Sequence, residues 1–329
     1  PVLLVGDIDR GGVFAQLYGT IALLDEEEKK RIKGVVINKF RGDRSILAPG
    51  LAQLEKLCGV PVLGVLPYLD VDIDDEDGLS ERFTRDAAAK LIDIAVIRLP
   101  RISNFTDLGP FERYENVSVR YVENTRGLGA PDMIVIPGTK STIGDLKWLR
   151  QSGLEAAVKQ AASRGTLVVG ICGGYQMLGR SITDPKGVEA EPGTKIAGLG
   201  LLDMDTVFHG EKVQSQAKGV FGAVEGLLAP LSGMAYEGYE IHMGRSQETR
   251  PALTGQDSVY GTYLHGVFDA PGVADAVLAA LCGKKGVDPS QLGSFDPGAY
   301  RERQYDLLAD AVRANLDMEL VYRILGVKN

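Results

Sequence analysis

Short runs of continuous apolar residues alternate along this chain with longer stretches in which apolar residues recur every three or four positions. Residues 2–5 form the first run, followed by Gly11-Gly12 and a periodic stretch over 13–24. Residues 34–37 and 62–66 are two further runs, and 46–57 between them reads as a helix with Pro49 in its first turn, where a proline is tolerated. Strands apolar on both faces, alternating with helices, predict a parallel α/β sheet. A buried strand at the very beginning, with no Met before it, predicts that further strands lie upstream.

A second series begins after residue 90. Residues 92–98, 117–121 and 133–136 read as strands, the last ending in Pro137-Gly138-Thr139. A helix over 153–164 leads to a strand over 166–171 that runs straight into Cys172. Residues 207–213, 235–242 and 258–263 read as β-rich additions. Tyr305, Leu308, Val312, Leu316 and Leu320 step by three or four, which predicts one terminal amphipathic helix stopped by Gly326. Two domains follow, 1–90 and 91–329. Towards the end of the first, Asp70, Asp72, Asp74, Asp75, Glu76 and Asp77 crowd one loop. It reads as a solvated acidic linker; a loop facing Mg²⁺ or substrate is the alternative.

Composition narrows the function classes. The 329 residues carry 36 basic and 44 acidic side chains, a net charge of −8, which argues against nucleic acid as a partner. No apolar run reaches the ~18 residues of a membrane span. Cys58, Cys172 and Cys282 are too few and odd in number for a disulfide framework and suit a reducing, cytoplasmic setting.

Candidate chemistry centres on Gly170-Ile171-Cys172-Gly173-Gly174-Tyr175-Gln176. A buried strand, a cysteine, two glycines and a helix start reproduce the logic of a nucleophile elbow. The glycines permit the strained turn, the helix N-terminus favours a thiolate, and the Gly173 N–H points where an oxyanion would form. Cys58 and Cys282 lack such flanks. A thiol nucleophile needs a base, and the chain has three histidines: His209, His242 and His265. His242 and His265 both sit at strand ends suited to face the elbow.

The Cys172-x-Gly174-x-Gln176 core resembles the class I glutamine amidotransferases. Five further motifs occur with it along the chain: Asp7-Ile8-Asp9-Arg10-Gly11-Gly12, Asn38-Lys39-Phe40-Arg41-Gly42-Asp43, Pro137-Gly138-Thr139-Lys140-Ser141-Thr142, Gly238-Tyr239-Glu240-Ile241-His242 and Gly261-Thr262-Tyr263-Leu264-His265-Gly266. Together they resemble the adenosylcobyric acid synthase family. That resemblance implies part of a dethiobiotin-synthetase-like parallel sheet followed by a flavodoxin-like α/β amidotransferase domain. It implies an ATP- and Mg²⁺-dependent enzyme that takes ammonia from glutamine and amidates carboxylates of a corrinoid, adenosylcobyrinic acid a,c-diamide.

Carried onto this chain, the resemblance makes Cys172 the nucleophile and His265 the base. Gly173 and the loop of Gly138 become the oxyanion donors, and Gln176, Glu240 and His242 the glutamine side. Asn38 becomes an adenine contact, and Asp7, Asp9 and Arg10 face phosphate, Mg²⁺ or corrinoid. Two positions depart from the pattern. The residue two after His265 is Val267, not Glu, so the base either works as a dyad or is oriented by another acid, with Glu240 and Asp269 the candidates. No G-x-x-x-x-G-K-[ST] phosphate loop occurs in the sequence, so the resemblance places that loop in an upstream segment of the same chain and leaves these residues competent only as a glutaminase. The sister cobyrinic acid a,c-diamide synthase is one alternative, and a scaffold with a decayed glutaminase site another.

Overall fold

The computed structural model describes residues 1–9, 11–69, 71, 89–246, 251–292 and 297–327. Arg10 and the acidic stretch, Asp70, Asp72, Asp74, Asp75, Glu76 and Asp77, lie outside the described residues. The chain divides into two compact units, one formed by Pro1–Ile73 with Ala299–Asn329 and the other by Asp74–Gly298.

In the first unit β1 (Val2–Asp7), β2 (Ile32–Phe40) and β3 (Val62–Pro67) form a parallel sheet in that order. The helices Val13–Leu23 and Ala48–Cys58 bury Val13, Leu17, Ile21 and Leu54 against one face. On the other, Val36, Leu63 and Leu66 pack with Val312, Leu316, Leu320 and Ile324. The C-terminal residues therefore belong with this sheet and not with the 91–329 domain that linear order suggests. The apolar stripe is also two helices rather than one, Pro297–Asn315 and Met318–Leu325. Asp317 breaks it: its N–H bonds Leu63 O at 2.8 Å, and its side chain caps the Leu320 N–H at 2.9 Å. Gly64 has no alternative here, since a Cβ would strike the Asn315 carbonyl.

The second unit holds the larger sheet. Its strands are β4 (Ile92–Ile97), β5 (Val117–Val122), β6 (Met133–Ile136), β7 (Leu167–Ile171), β8 (Ser181–Asp184), β9 (Thr194–Ala197), β10 (Asp205–Val220), β11 (Ala235–Arg245), β12 (Thr254–Gln256), β13 (Val259–Thr262) and β14 (Leu264–His265). Six of them run in the order β12-β13-β7-β6-β4-β5, parallel except for the β12 edge. Alternate residues bury opposite faces. Ile94, Met133, Val135 and Val169 pack with Val273, Val277 and Leu281 of the helix Val273–Lys285. Ala95, Ile134, Ile136 and Val168 pack with Ile143, Leu146, Leu154 and Val158 of the helices Thr142–Gln151 and Leu154–Ser163. Helices on both faces make this a doubly wound α/β sheet, whose strand ends converge on Cys172. A second sheet, β14-β11-β10-β8-β9, brings β11 alongside His265. No helix among the described residues is long and apolar enough to cross a membrane.

Candidate active site

β7 ends at Ile171, and the next residue turns sharply. Cys172 holds φ 51° and ψ −107°, a left-handed φ that a side chain adopts at a cost of about 1–3 kcal/mol. The helix Gly173–Leu178 starts immediately. Gly174 must be glycine, because a Cβ there would collide with the Ile136 carbonyl. The elbow is thus fixed by packing of the turn against β6, and Cys172 is left 7% exposed.

β13 lies next to β7, with Thr262 opposite Ile171, and the Cys172 N–H bonds Thr262 O at 2.8 Å. The chain leaving β13 therefore reaches His265 beside the elbow. His265 is fully buried. Its Nδ1 lies 2.8 Å from Asp107 Oδ2, and the Gly266 N–H donates to Asp107 Oδ1 at 2.8 Å. Asp107 itself is 3% exposed. Burial alone would lower the His265 pKa, but the Asp107 carboxylate and the neighbouring Cys172 sulfur push it up to about 10. The acid on the base is therefore neither Glu240 nor Asp269. Glu240 Oε2 lies 3.3 Å from His242 Nε2, two residues away on one face of β11. Asp107 comes from the short 3₁₀ turn Phe105–Leu108, 158 residues from His265. Only the run Ser103-Asn104-Phe105-Thr106-Asp107 after β4, at the carboxyl end of the sheet, could have signalled it.

The loop after β6 forms the opposite wall. Ile102 and Thr139 make an antiparallel bridge flanked by Ser103 N–H to Gly138 O at 2.9 Å and Lys140 N–H to Arg101 O at 3.0 Å. In such a pair the N–H of the bridged residue points away from its partner. Thr139 N accordingly faces the elbow, where a Cβ on Gly173 would come within 3.3 Å of it. The Thr139 N–H is thus a second donor suited to an oxyanion, in the loop that carries Gly138; a Cβ on Gly138 would come within 3.0 Å of the His265 ring. Buried Asp145 fixes the loop: its Oδ2 accepts from Thr139 Oγ1 at 2.5 Å and from Arg101 N–H at 3.1 Å.

A cavity of about 340 Å³ opens onto Cys172. Gln176 lines it and is held by Thr142 Oγ1 at 3.1 Å and the Tyr263 hydroxyl at 3.4 Å. His242 also lines it, stacked on Tyr263 at 3.9 Å, with Nδ1 2.8 Å from Gly244 O. Sequence reasoning missed Glu189 on the same wall. Asp184 accepts backbone N–H groups of Val188, Glu189 and Ala190 at 2.8, 2.8 and 2.9 Å and so shapes the loop that presents Glu189. Burial would raise Asp184, yet those N–H groups hold it below the usual carboxylate range. The Glu189 carboxylate accepts from Ile143 N–H at 3.1 Å and Thr142 Oγ1 at 3.3 Å. Burial raises its pKa, and among the described residues no cation is within ion-pair reach of it. Exposed Lys140 and Lys212 stand at the same cavity.

On the first unit Asp7 and Asn38 are register partners at the carboxyl ends of β1 and β2. Asp7 pairs with Lys39 at 3.0 Å and Asp9 with Arg41 at 3.2 Å. Asn38 Oδ1 accepts the Lys39 N–H at 2.9 Å.

A family model described as a CobB/CobQ-like glutamine amidotransferase domain matches residues 93–273. Another, described as a CobQ/CobB/MinD/ParA nucleotide binding domain, matches residues 5–79. The chain is 53% identical over 354 residues to the cobyric acid synthase of Lachnoclostridium phytofermentans, covering 99% of this chain and 68% of that protein. It is 51% identical over 350 residues to that of Ruminiclostridium cellulolyticum, covering 100% and 68%. With that of Citrobacter koseri the identity is 46%, covering 99% and 67%.

Proposed function

The chain belongs to the cobyric acid synthase family of glutamine amidotransferases, and from that premise we propose that its second unit hydrolyses glutamine through a Cys172 thioester. The observation that carries this reading is the buried group of Cys172, His265 and Asp107, in which the Cys172 sulfur lies beside the His265 ring and Asp107 bonds its Nδ1 at 2.8 Å. The thiol proton passes to His265 Nε2 as Sγ attacks the carboxamide carbon. The resulting oxyanion is met by the N–H groups of Gly173 and Thr139; one such donor is commonly worth about 10²–10³ in rate. Collapse breaks the C–N bond, and Nε2 returns its proton to the leaving ammonia. Water then cleaves the thioester, with His265 again taking the proton, and glutamate leaves. Asp107 keeps Nδ1 protonated, so that Nε2 is the nitrogen that exchanges protons. Glu189 faces the α-ammonium of glutamine, and Lys140 and Lys212 its carboxylate.

The ammonia amidates side-chain carboxylates of a corrinoid, adenosylcobyrinic acid a,c-diamide. When bound, ATP with Mg²⁺ would supply the activation of those carboxylates. The first unit suits a nucleotide in one respect: Asn38 spends its Oδ1 on the Lys39 N–H and offers its amide N–H groups at a strand end, where adenine nitrogens could accept them. Asp7, Asp9, Lys39 and Arg41 supply charge at that same edge. Ammonia release from L-glutamine by the purified chain, lost in Cys172→Ala, tests the glutaminase. No release from the folded chain, or release that survives Cys172→Ala, would refute it.

A further inference from the structure

In the resting arrangement the proton that has to move is not shared between Cys172 and His265. The sulfur sits beside the ring, but its thiol donates to Ile241 O at 3.5 Å. Asp107 accepts the Nδ1–H, so in the neutral form, the only one that can act as a base, Nε2 has a single lone pair. In that form the lone pair faces Asn104 Nδ2 at 3.1 Å. The Asn104 amide is oriented in turn by the Tyr239 hydroxyl, which donates to Oδ1 at 3.2 Å. Tyr239 stacks on the His265 ring, with centroids 5.3 Å apart. Tyr239 and Ile241 are alternate residues of β11 and share a face. One strand therefore supplies both the carbonyl that holds the thiol proton and the hydroxyl that aims the amide.

We propose that Asn104 is a positioning residue that caps the base. Its side chain occupies Nε2 until glutamine fills the cavity that Asn104 lines. The amide must then turn away before the Cys172 S–H bond can break and the proton pass to Nε2. The proposal rests on the glutaminase reading for its purpose, though not for its test. The groups that face the pair and bear on its titration are Asp107 at Nδ1, Tyr239 on the ring, Tyr263 and His242 beside the thiol, and Lys140 and Lys212 at the cavity.

Iodoacetamide alkylation of Cys172 in the full chain, without glutamine and read by peptide mass, reports how readily the thiol loses its proton. Asn104 has φ 53° and ψ 42°, a left-handed backbone that glycine adopts without strain. Asn104→Gly should raise the Cys172 alkylation rate about two- to tenfold, the effect of one hydrogen bond. It should also move the midpoint of the rate–pH curve downward, which loosened packing alone would not do. Tyr239→Phe, which frees the far end of the amide, should act in the same direction and less strongly. In His265→Ala the added Asn104→Gly should change nothing. An unchanged or slower rate in folded Asn104→Gly overturns the cap. Should that variant not fold, an unchanged rate in Tyr239→Phe overturns it. Faster alkylation in a chain that never releases ammonia would sink the glutaminase reading and leave the cap standing.

Discussion

Asp107 Oδ2 lies 2.8 Å from His265 Nδ1, and Asp107 Oδ1 holds the N–H of the next residue, Gly266, at the same distance. One carboxylate thus fixes both the tautomer of the imidazole and the backbone that carries it. The class I amidotransferase pattern that the cysteine motif resembles has a Glu two residues after the histidine. Here that position is Val267, 4% exposed and packed in the core, and the acid arrives from the turn after β4.

Asp107→Asn keeps the volume but turns a charge into an amide, whose N–H faces the Nδ1 proton. The ring should then favour the tautomer with its proton on Nε2, which cannot accept from the thiol. Glutamine turnover should fall about 10²–10⁴-fold, the range of lost acid–base function, with KM little changed. Glu240→Gln and Asp269→Asn should each leave kcat within about tenfold of wild type, one hydrogen bond's worth. Steady-state ammonia release on the three variants decides which acid serves the base.

Cys172→Ala should abolish glutamine hydrolysis, whereas Cys58→Ala and Cys282→Ala should not. Cys58 lies in the first unit, and Cys282 is fully buried in the helix Val273–Lys285. An electrophilic glutamine analogue should label Cys172 and neither of the others by peptide mass mapping. Label on Cys282 would show that the elbow is not the reactive site.

Most of this architecture was legible in the chain because its signals are local. The strand-to-helix turn at Cys172 is written in seven consecutive residues, and His265 follows a strand that neighbours β7. Asp107 was not legible, since its partner is 158 residues away and only its place in the run after β4 hints at it. The C-terminal helices misled for the same reason: an apolar stripe tells that a surface is buried, not which sheet buries it. The second oxyanion N–H depended on a bridge between Ile102 and Thr139, a relation no single motif contains. Glu189 escaped notice because only the cavity reveals a carboxylate without a cation.

Glu189→Gln tests substrate recognition apart from chemistry. The amide can keep the bond from the Ile143 N–H through its oxygen, so the loop should hold its shape. What it loses is the charge facing the α-ammonium. A hydrogen bond to a charged group contributes about 1.5–3 kcal/mol, so kcat/KM for L-glutamine should drop about ten- to a hundredfold. Glutaramate, which has the carboxamide but no α-amino group, should be hydrolysed equally by wild type and variant. An equal loss on both substrates would mean that Glu189 acts on the loop and not on the ammonium.

The raised pKa of His265 also makes stability depend on pH, and the sign can be worked out. Burial lowers the value, but Asp107 and the Cys172 sulfur together raise it from an ordinary 6.5 to about 10 in the folded chain. The folded state therefore binds this proton more tightly than the unfolded state. Its contribution to stability is fully present below about pH 6.5 and fades as pH rises toward 10. Tyrosines and lysines titrate near the upper end in any variant, so the useful quantity is a difference between two curves. Asp107→Asn removes the strongest raising influence while keeping the packing. The variant should be less stable than wild type at pH 6.5, and the gap should narrow steadily as pH approaches 10. Urea midpoints of both proteins at half-unit steps across that window would measure it. Parallel curves would mean that Asp107 does not raise the affinity of His265 for its proton.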